Sequence, residues 1–584
     1  MPLEKMECGV NYTTELIRSN LNQLIDINQG ALYLSSFTVG SASPLQDAVT
    51  QMNALKRPLV IDMDIEENNV TSTGYTVIKG NGHTISQANE AGRGFNVELK
   101  GENLGTYASV ENVALGGQLI NVTQVNGNFN VEVGDIVRIV DDATIDSNAN
   151  TRHAEMAQVR EVTGTYILLD CLLRHFNYYT TGTVFKVSKE KVIIDDVDFT
   201  PSDNPSTEIV RIASLTVAGA FKPKIRTTSN NDYSTGVALR GCYIPMVDYV
   251  GSNLRNDDSI LALGYGVVAY SSTKGAIVSS NVTSGRTAYD DGIWANTDLS
   301  MDFDFGCTLD SFVTGTGYAT GGATWDTHPY SDRTTFFNTR ATGSALNASG
   351  DTSNAFGYKI RGTNVNIING FNDRRFTLSI GNTSTMLIDS VNNVQINEPE
   401  YDENQTVSSS KISYEANESL NKLEVNIINS RIGGGWFSSS LSGDLGYLRF
   451  FNTTLDFGGD RPQSSSTKEY NIEFNNCIIK NFLFMRCSEK TTLKFIDSKI
   501  TSLDPAKGPI DLYEGGNLTI INTGFDSPVI ANGICKGIGT LTSATKIFAS
   551  NIYSLSQTNP QISIGSNIAN VDIQDISASL TPIS

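Results

Sequence analysis

Paired cysteines, long apolar runs and an excess of positive charge are all missing from this chain. Its seven cysteines (Cys8, Cys171, Cys242, Cys307, Cys477, Cys487 and Cys535) are scattered through 584 residues. None stands in a CxxC pair and their number is odd, which argues against a disulfide framework. Cys242 and Cys477 lie in short apolar stubs and are expected as buried thiols. No stretch approaches the roughly 18 apolar residues of a membrane span. The opening Met1-Pro-Leu-Glu-Lys-Met-Glu-Cys8 has no basic n-region and no apolar h-region, so no secretory leader is expected there. Lys and Arg number 42 against 62 Asp and Glu, a formal net charge of -20. Such a surface repels nucleic acid and anionic membranes, and neither is expected as a partner. The four histidines form no cluster with zinc-ligand spacing, and Gly80-Asn81-Gly82 lacks the strand-to-helix setting of a phosphate loop. No metal or cofactor is expected. A soluble protein made in a cytoplasm is.

What the chain has instead is repetition. A few β-branched or aromatic residues, then Asn or Asp, then a small residue recur at Val192–Asp196, Ile277–Asn281, Thr335–Thr339, Asn366–Gly370 and Met386–Ser390. The phrase returns at Asn426–Ser430, Arg449–Thr453, Glu473–Cys477, Lys494–Ser498 and Thr519–Thr523. Spacings of about 20 to 31 residues dominate from Asn281 onward, the range in which one repeat is one turn of a solenoid. Each stub is too short for a helix and reads as a strand of about 4 or 5 residues. Asn or Asp at its end tolerates the left-handed backbone of a corner and can hydrogen-bond the coil above. One strand per coil, always in the same direction, predicts a parallel β-helix. Only stacked coils let 584 residues avoid a single oversized core. The low charged fraction, 18%, and the 51 glycines suit short strands and tight turns.

Residues 1–40 read as an appendage or cap, with apolar residues at helical spacing between Leu16 and Ile25. A second helix is predicted over 44–56, with Pro44 near its start and Leu45, Ala48, Val49, Met52 and Leu55 on one face. A short helix there would cover the open end of the first coils, placed at 41–99. Between 100 and 190 the phrase disappears, and Val131–Val140 and Glu155–Asp170 alternate strands and turns. This predicts a small inserted antiparallel β subdomain. The main β-helix is expected over 191–530. Residues 531–584, with apolar runs at Ile562–Ile564 and Val571–Ile576, are expected to cap the far end or contact another subunit.

Between about 240 and 420 the coils are longer and carry residues unusual for a structural coil. Ser284–Trp294 contains Arg286, Tyr289, Asp290, Asp291 and Trp294. Gly317–Tyr330 contains Trp325, Asp326, His328 and Tyr330, and Phe356–Gly362 contains Tyr358 and Arg361. Aromatic faces beside carboxylates and Arg are what a sugar site needs, because C–H faces stack and hydroxyls and acids are hydrogen-bonded. Trp325, Trp294, Tyr330, Tyr358 and Tyr289 are the candidate sugar contacts. Two reactions fit. Hydrolysis needs two carboxylic groups flanking the glycosidic bond, and Asp326 with Asp290 or Asp291 supplies them if neighbouring coils bring them together. Elimination from a uronic acid needs a base, a cation and a proton donor. His328, then Arg286 or Arg361, and Tyr358 or Tyr330 would fill those roles. Carboxylates outnumber credible bases in this window, which favours hydrolysis.

The succession Gly285-Arg286, Asp326-Thr-His-Pro329, then Gly357-Tyr-Lys-Ile-Arg-Gly-Thr-Asn-Val365 followed by Asn366-Ile-Ile-Asn-Gly370 resembles the catalytic-domain pattern of bacteriophage tailspike depolymerases. These are pectate-lyase-like proteins with a right-handed parallel β-helix. The segments Val133–Ile139, His153–Met156 and Leu168–Leu173 resemble the β insertion that several such spikes carry. Ser43–Val49, leading into Gly80–Ile85, is similar to the start of their β-helix domain. The resemblance spans roughly residues 40 to 530. It implies a homotrimer on the virion tail, made in the host cytoplasm and joined to other tail proteins through its N-terminal region. It also implies that the spike binds and cleaves a capsular or other surface polysaccharide at the outer face of the bacterial cell. Members often have His after the Arg of the first motif, whereas Thr287 follows Arg286 here, so no histidine role transfers to that position. Two other readings compete: a spike of the same fold that binds glycan without cutting it, and a secreted bacterial lyase or adhesin.

Overall fold

The computed structural model describes residues 30–87, 94–113, 117–124, 129–146, 149–171, 173, 179–201, 213–230, 235–252, 256–257, 262–270, 273–283, 285–292, 308–319, 323–327, 331–343, 356–360, 362, 364–372, 377–382, 390–397, 411–416, 423–432, 445–456, 470–482, 485–486, 491–501, 510–511, 516–526, 529–533, 546–555, 561–564, 570–574 and 579–582. The helix expected between Leu16 and Ile25 lies outside them. Two compact units divide the chain, the first ending at Ser280 and the second formed by Asn281–Ile293 and Cys307 onward, with Trp294–Gly306 assigned to the first.

Both units are built from parallel coils. In the first, the strand Thr76–Lys79 pairs with Val192–Pro201, which pairs with Lys224–Asn230 and then Met246–Ser252. A second sheet stacks Thr71–Ser72, Phe95–Glu98, Ala213–Ala218, Thr235–Arg240 and Tyr265–Tyr270. One helix, Pro44–Leu55, lies at the start with Leu45, Ala48, Val49 and Met52 buried. Leu55, predicted on that face, is exposed because the helix ends there and the chain turns at Lys56 in the left-handed region (φ 54°). The carboxylate of Glu67 accepts the Leu45 and Gln46 amides at 2.8 and 2.9 Å, supplying the cap that Ser43 does not. Gly80 turns the first coil under the next one. A Cβ there would come within 2.0 Å of the Asp196 carbonyl oxygen, so the position accepts only glycine.

Between the first and later coils of this unit the chain leaves to form a closed antiparallel barrel. Its strands are Glu102–Val113, Gly117–Gln124, Ile136–Asp146, Ala149–Thr163, Tyr166–Leu169 and Gly182–Lys186. Closure leaves no open edge, and Leu104, Ile120, Val122, Ile139, Val159, Ile167, Leu169 and Val184 fill the interior. This is the inserted β subdomain the sequence predicts.

The second unit shows how the repeating phrase works. Leu423–Ile428, Leu445–Phe451, Tyr470–Asn475, Thr491–Ile496 and Asn517–Ile521 stack in register. Their alternate side chains enter the coil, where Phe450, Phe474 and Phe495 stack nearly parallel at 4.9 and 5.1 Å. At each strand end Asn429, Asn452, Asn476, Asp497 and Asn522 have φ between 46° and 53°. Their side chains link coil to coil. Asn452 Nδ2 donates to Asn429 Oδ1 at 3.1 Å, Asn476 to Asn452 at 2.7 Å, and Asn522 to Asp497 at 2.7 Å. The small residue that follows points inward: Thr453 and Ser498 donate their hydroxyls to the carbonyls of Phe451 and Ile496, at 2.9 and 2.8 Å. Cys477 takes the same place, its thiol reaching the Phe450 carbonyl at 3.4 Å, and burial pushes its pKa up to about 11. Parallel pairing continues beyond 530, through Lys546–Ser550 to Asn570–Gln574 and through Gln561–Ile564 to Ser579–Pro582.

Candidate active site

Three successive strands of the second unit carry most of the described candidates. Thr287–Gly292 pairs in parallel with Ala323–Thr327, aligning Tyr289 with Trp325, Asp290 with Asp326 and Asp291 with Thr327. The latter strand pairs with Phe356–Ile360, aligning Trp325 with Tyr358 and Asp326 with Lys359. In a parallel ladder aligned residues share a face, and neighbours along a strand point to opposite faces. One face therefore presents Tyr289, Asp291, Trp325, Thr327, Tyr358 and Ile360. The other presents Asp290, Asp326 and Lys359.

The aromatic face is the coil interior. Tyr289, Trp325 and Tyr358 are each 0% exposed, and all three rings surround Phe336 at 6.0 to 6.2 Å. This corrects the expectation that they are sugar contacts: rings enclosed on both faces by core side chains have none left for a pyranose. Tyr358 is also no proton donor to substrate, since its hydroxyl is held by Thr339 Oγ1 at 2.9 Å and the Thr339 carbonyl at 3.2 Å. Gly357 lets this strand lie close to its neighbour, because a Cβ there would come within 2.3 Å of Asn372 Oδ1.

Asp291 shares this interior and is 1% exposed. Thr334 Oγ1 donates to its Oδ2 at 2.5 Å and the Tyr289 hydroxyl donates to the same oxygen at 3.4 Å. Burial, with Asp290 and Asp326 adding like charge, pushes its pKa up to about 8, against hydrogen bonds from Thr334 and Ser331 that favour the ionised form. Burial, with Asp291 and Asp290 adding negative charge, raises Tyr289 far above an ordinary phenol. Asp291 is thus a protonated interior group near neutral pH, directly behind the other two carboxylates.

Asp290 and Asp326 form the pair on the opposite side of these strands from the aromatic interior. They stand in register on adjacent strands, a spacing of about 4.8 Å. Asp326 is 7% exposed and Asp290 1%, so Asp326 is the more accessible. Lys359 continues the column one coil further and is half-buried. Lys359 is the functional candidate that sequence reasoning passed over. It lay inside the quoted motif, but only the strand register puts it beside Asp326. Arg286 lies at the bend just before the first of these strands, half-buried. His328, Tyr330, Arg361 and Trp294 lie outside the described residues. Among the described residues no group of three or more His, Cys, Asp or Glu is arranged to hold a metal ion.

No family model matches the chain, and no curated protein matches it in sequence. Solved structures do. The tailspike protein gp49 from Pseudomonas phage LKA1 superposes with a TM-score of 0.51 over 89% of this chain and 83% of that one, at 15% identity. The fold is that of a phage tailspike. Two further tailspikes give weaker superpositions. Tailspike gp61 of Pseudomonas phage phi297 gives a TM-score of 0.42 at 12% identity, covering 88% of this chain and 74% of that one. The Gp54 tailspike of Acinetobacter baumannii bacteriophage AP22, solved with an A. baumannii capsular saccharide, gives 0.45 at 12% identity, covering 96% and 77%.

Proposed function

We propose that this chain is a tailspike depolymerase that binds a bacterial surface polysaccharide and hydrolyses its glycosidic bonds between Asp290 and Asp326. The observation that carries this reading is the in-register alignment of those two carboxylates on neighbouring coils. Glycosidases use two such groups, one giving a proton to the leaving oxygen and the other attacking the anomeric carbon or activating water. A spacing of about 4.8 Å between aligned strands suits the shorter, retaining separation of about 5–5.5 Å better than the inverting one. Asp326, more exposed and beside Lys359, is assigned the attacking role, and Asp290 the proton donor. Asp291, buried behind them, positions the pair. The elimination reading loses Tyr358, whose hydroxyl is occupied within the core.

In this reading the coils between 191 and 530 carry the glycan groove, and residues 531–584 serve as cap or subunit contact. The spike is a homotrimer on the virion tail, held to other tail proteins through its N-terminal region. The test is incubation with purified capsular polysaccharides and lipopolysaccharides, followed by size-exclusion chromatography. Fragments from at least one glycan, absent with Asp326→Asn, are expected. Binding to a glycan that emerges uncut would replace the enzyme with a receptor-binding spike.

A further inference from the structure

Three successive coils of the second unit turn a corner at Asp310, Arg333 and Asn364, with φ of 59°, 59° and 51°. The short strands before the first two, Thr308–Leu309 and Ser331–Asp332, pair in parallel. The Arg333 guanidinium donates to both Asp310 carboxylate oxygens, at 2.5 and 3.0 Å, and Asn364 Nδ2 donates to Asp332 Oδ1 at 2.6 Å. These bonds latch one corner to the next. The residue after each corner, Ser311, Thr334 or Val365, is 2% exposed or less. The ladder runs on across them: the Thr335 amide donates to the Ser311 carbonyl at 2.8 Å, and the Asn366 amide to that of Thr334 at 2.9 Å.

Stacking does not require a hydroxyl at this place. Val365 fills it in the third coil. In the first unit Pro223 and Pro245 follow the corners Lys222 and Ile244, and their carbonyls accept the Met246 and Ile277 amides at 2.9 and 2.8 Å. Hydroxyls stand there beside the polar groups of the site interior. Ser311 hydrogen-bonds Tyr289, and Thr334 Oγ1 donates to Asp291 Oδ2 at 2.5 Å. Ser331 brings a second hydroxyl to the same carboxyl. Gly362 leaves it room, since a Cβ there would come within 2.1 Å of Ser331 Oγ. The inward hydroxyls of the plain coils, Thr453 and Ser498, return instead to backbone carbonyls.

On the hydrolytic reading above, we propose that Thr334, with Ser331, is a positioning residue for the reaction: the two hydroxyls fix the Asp291 carboxyl behind the Asp290–Asp326 pair. An ionised Asp291 would put a third negative charge where the reaction needs one carboxylate and one carboxylic acid. Burial and the charges of Asp290 and Asp326 oppose that ionisation, whereas the hydroxyls of Thr334, Ser331 and Tyr289 favour it. The bracket thus sets the pH above which the site loses activity.

The test compares pH–rate profiles and melting temperatures of the wild type, Thr334→Val and Thr334→Ser on a glycan that the wild type cleaves. Thr334→Val keeps the side-chain shape and loses the hydroxyl. Its kcat is expected to be about 3–10-fold lower at neutral pH, the effect of one hydrogen bond, with KM little changed. The alkaline limb of its profile is expected at higher pH, because Asp291 then holds its proton further into the alkaline range. Thr334→Ser restores both. Should Thr334→Val not fold, Ser331→Ala removes the other hydroxyl and is expected to move the limb the same way. A lower melting temperature with kcat and the limb unmoved would make Thr334 a core residue only and overturn the proposal. A wild type that cleaves no glycan, or cleavage that survives Asp326→Asn, would instead overturn the hydrolytic reading beneath it.

Discussion

The coils between Leu423 and Ser550 and those between Thr287 and Ile360 use one ladder but fill it differently. In the first set the interior is a stack of phenylalanines, and among the described residues the inward polar groups are single hydroxyls or a thiol returning to nearby carbonyls. In the second the interior holds Tyr289, Trp325 and Tyr358 around Phe336, with a whole carboxylic acid, Asp291, among them. A solenoid has no need of a buried acid to stack its coils, and burying one is costly unless it is neutral and hydrogen-bonded. In the proposed function, the difference marks where the repeat gives way to chemistry. It also predicts that damage to one region and to the other will be measured in different units, turnover at the site and stability in the plain coils.

The largest expected effect is at the site. Asp326→Asn should lower turnover by about 10²–10⁴-fold, the range for losing one acid–base or nucleophilic carboxylate, with the melting temperature nearly unchanged. Equal loss of stability and activity would place Asp326 among structural residues. In the plain coils Phe474→Ala should cost about 3–5 kcal/mol by denaturant titration, because its ring stacks on both Phe450 and Phe495. Turnover of the molecules that remain folded should not change.

Asp291 sharpens the contrast through pH. Its carboxyl titrates near 8 in the folded chain and near the ordinary 3.8 when unfolded. Between those values the folded state holds a proton that the unfolded state has released, so stability falls as pH rises from about 4 to about 8 and levels off above. The groups facing it are Asp290 and Asp326, which oppose its ionisation, and the hydroxyls of Tyr289, Thr334 and Ser331, whose hydrogen bonds favour it. Asp291→Asn should flatten this part of the melting temperature against pH, and parallel curves for the two proteins would contradict the assignment. The smallest effect is at a corner. Asn476→Ala loses the 2.7 Å bond to Asn452 and places a Cβ-bearing residue at φ 53° without a polar side chain to compensate, a cost of about 1–2 kcal/mol. Asn476→Gly keeps the backbone conformation and should cost less in the same titration.

The corners were legible because the chemistry of a left-handed turn restricts the residue that makes it. Asn and Asp at the end of each stub could mean little else, and the Asn429–Asn452–Asn476 ladder follows the prediction closely. The inserted barrel was legible as a gap in the phrase. Less of the site could be read. Trp325 and Tyr358 have the same chemistry in a core as on a sugar platform. What separates these is whether a strand places them on its inner or outer side, and that parity depends on register across long intervening loops. The same register brings Asp290 opposite Asp326 and sets Lys359 in their column, relations that no spacing along the chain expresses. Leu55 was misplaced for a smaller reason: it is the last residue of the helix, where the chain turns away at Lys56 and the helical wheel no longer decides which side is covered.

Mass spectrometry of fragments released from purified bacterial capsules, by the wild-type chain and by Asp326→Asn side by side, tests the central claim most directly. The account predicts products that have each gained one water from the wild type and none from the variant. Unsaturated products lacking that water, or fragments still formed by Asp326→Asn, would contradict hydrolysis by the Asp290–Asp326 pair.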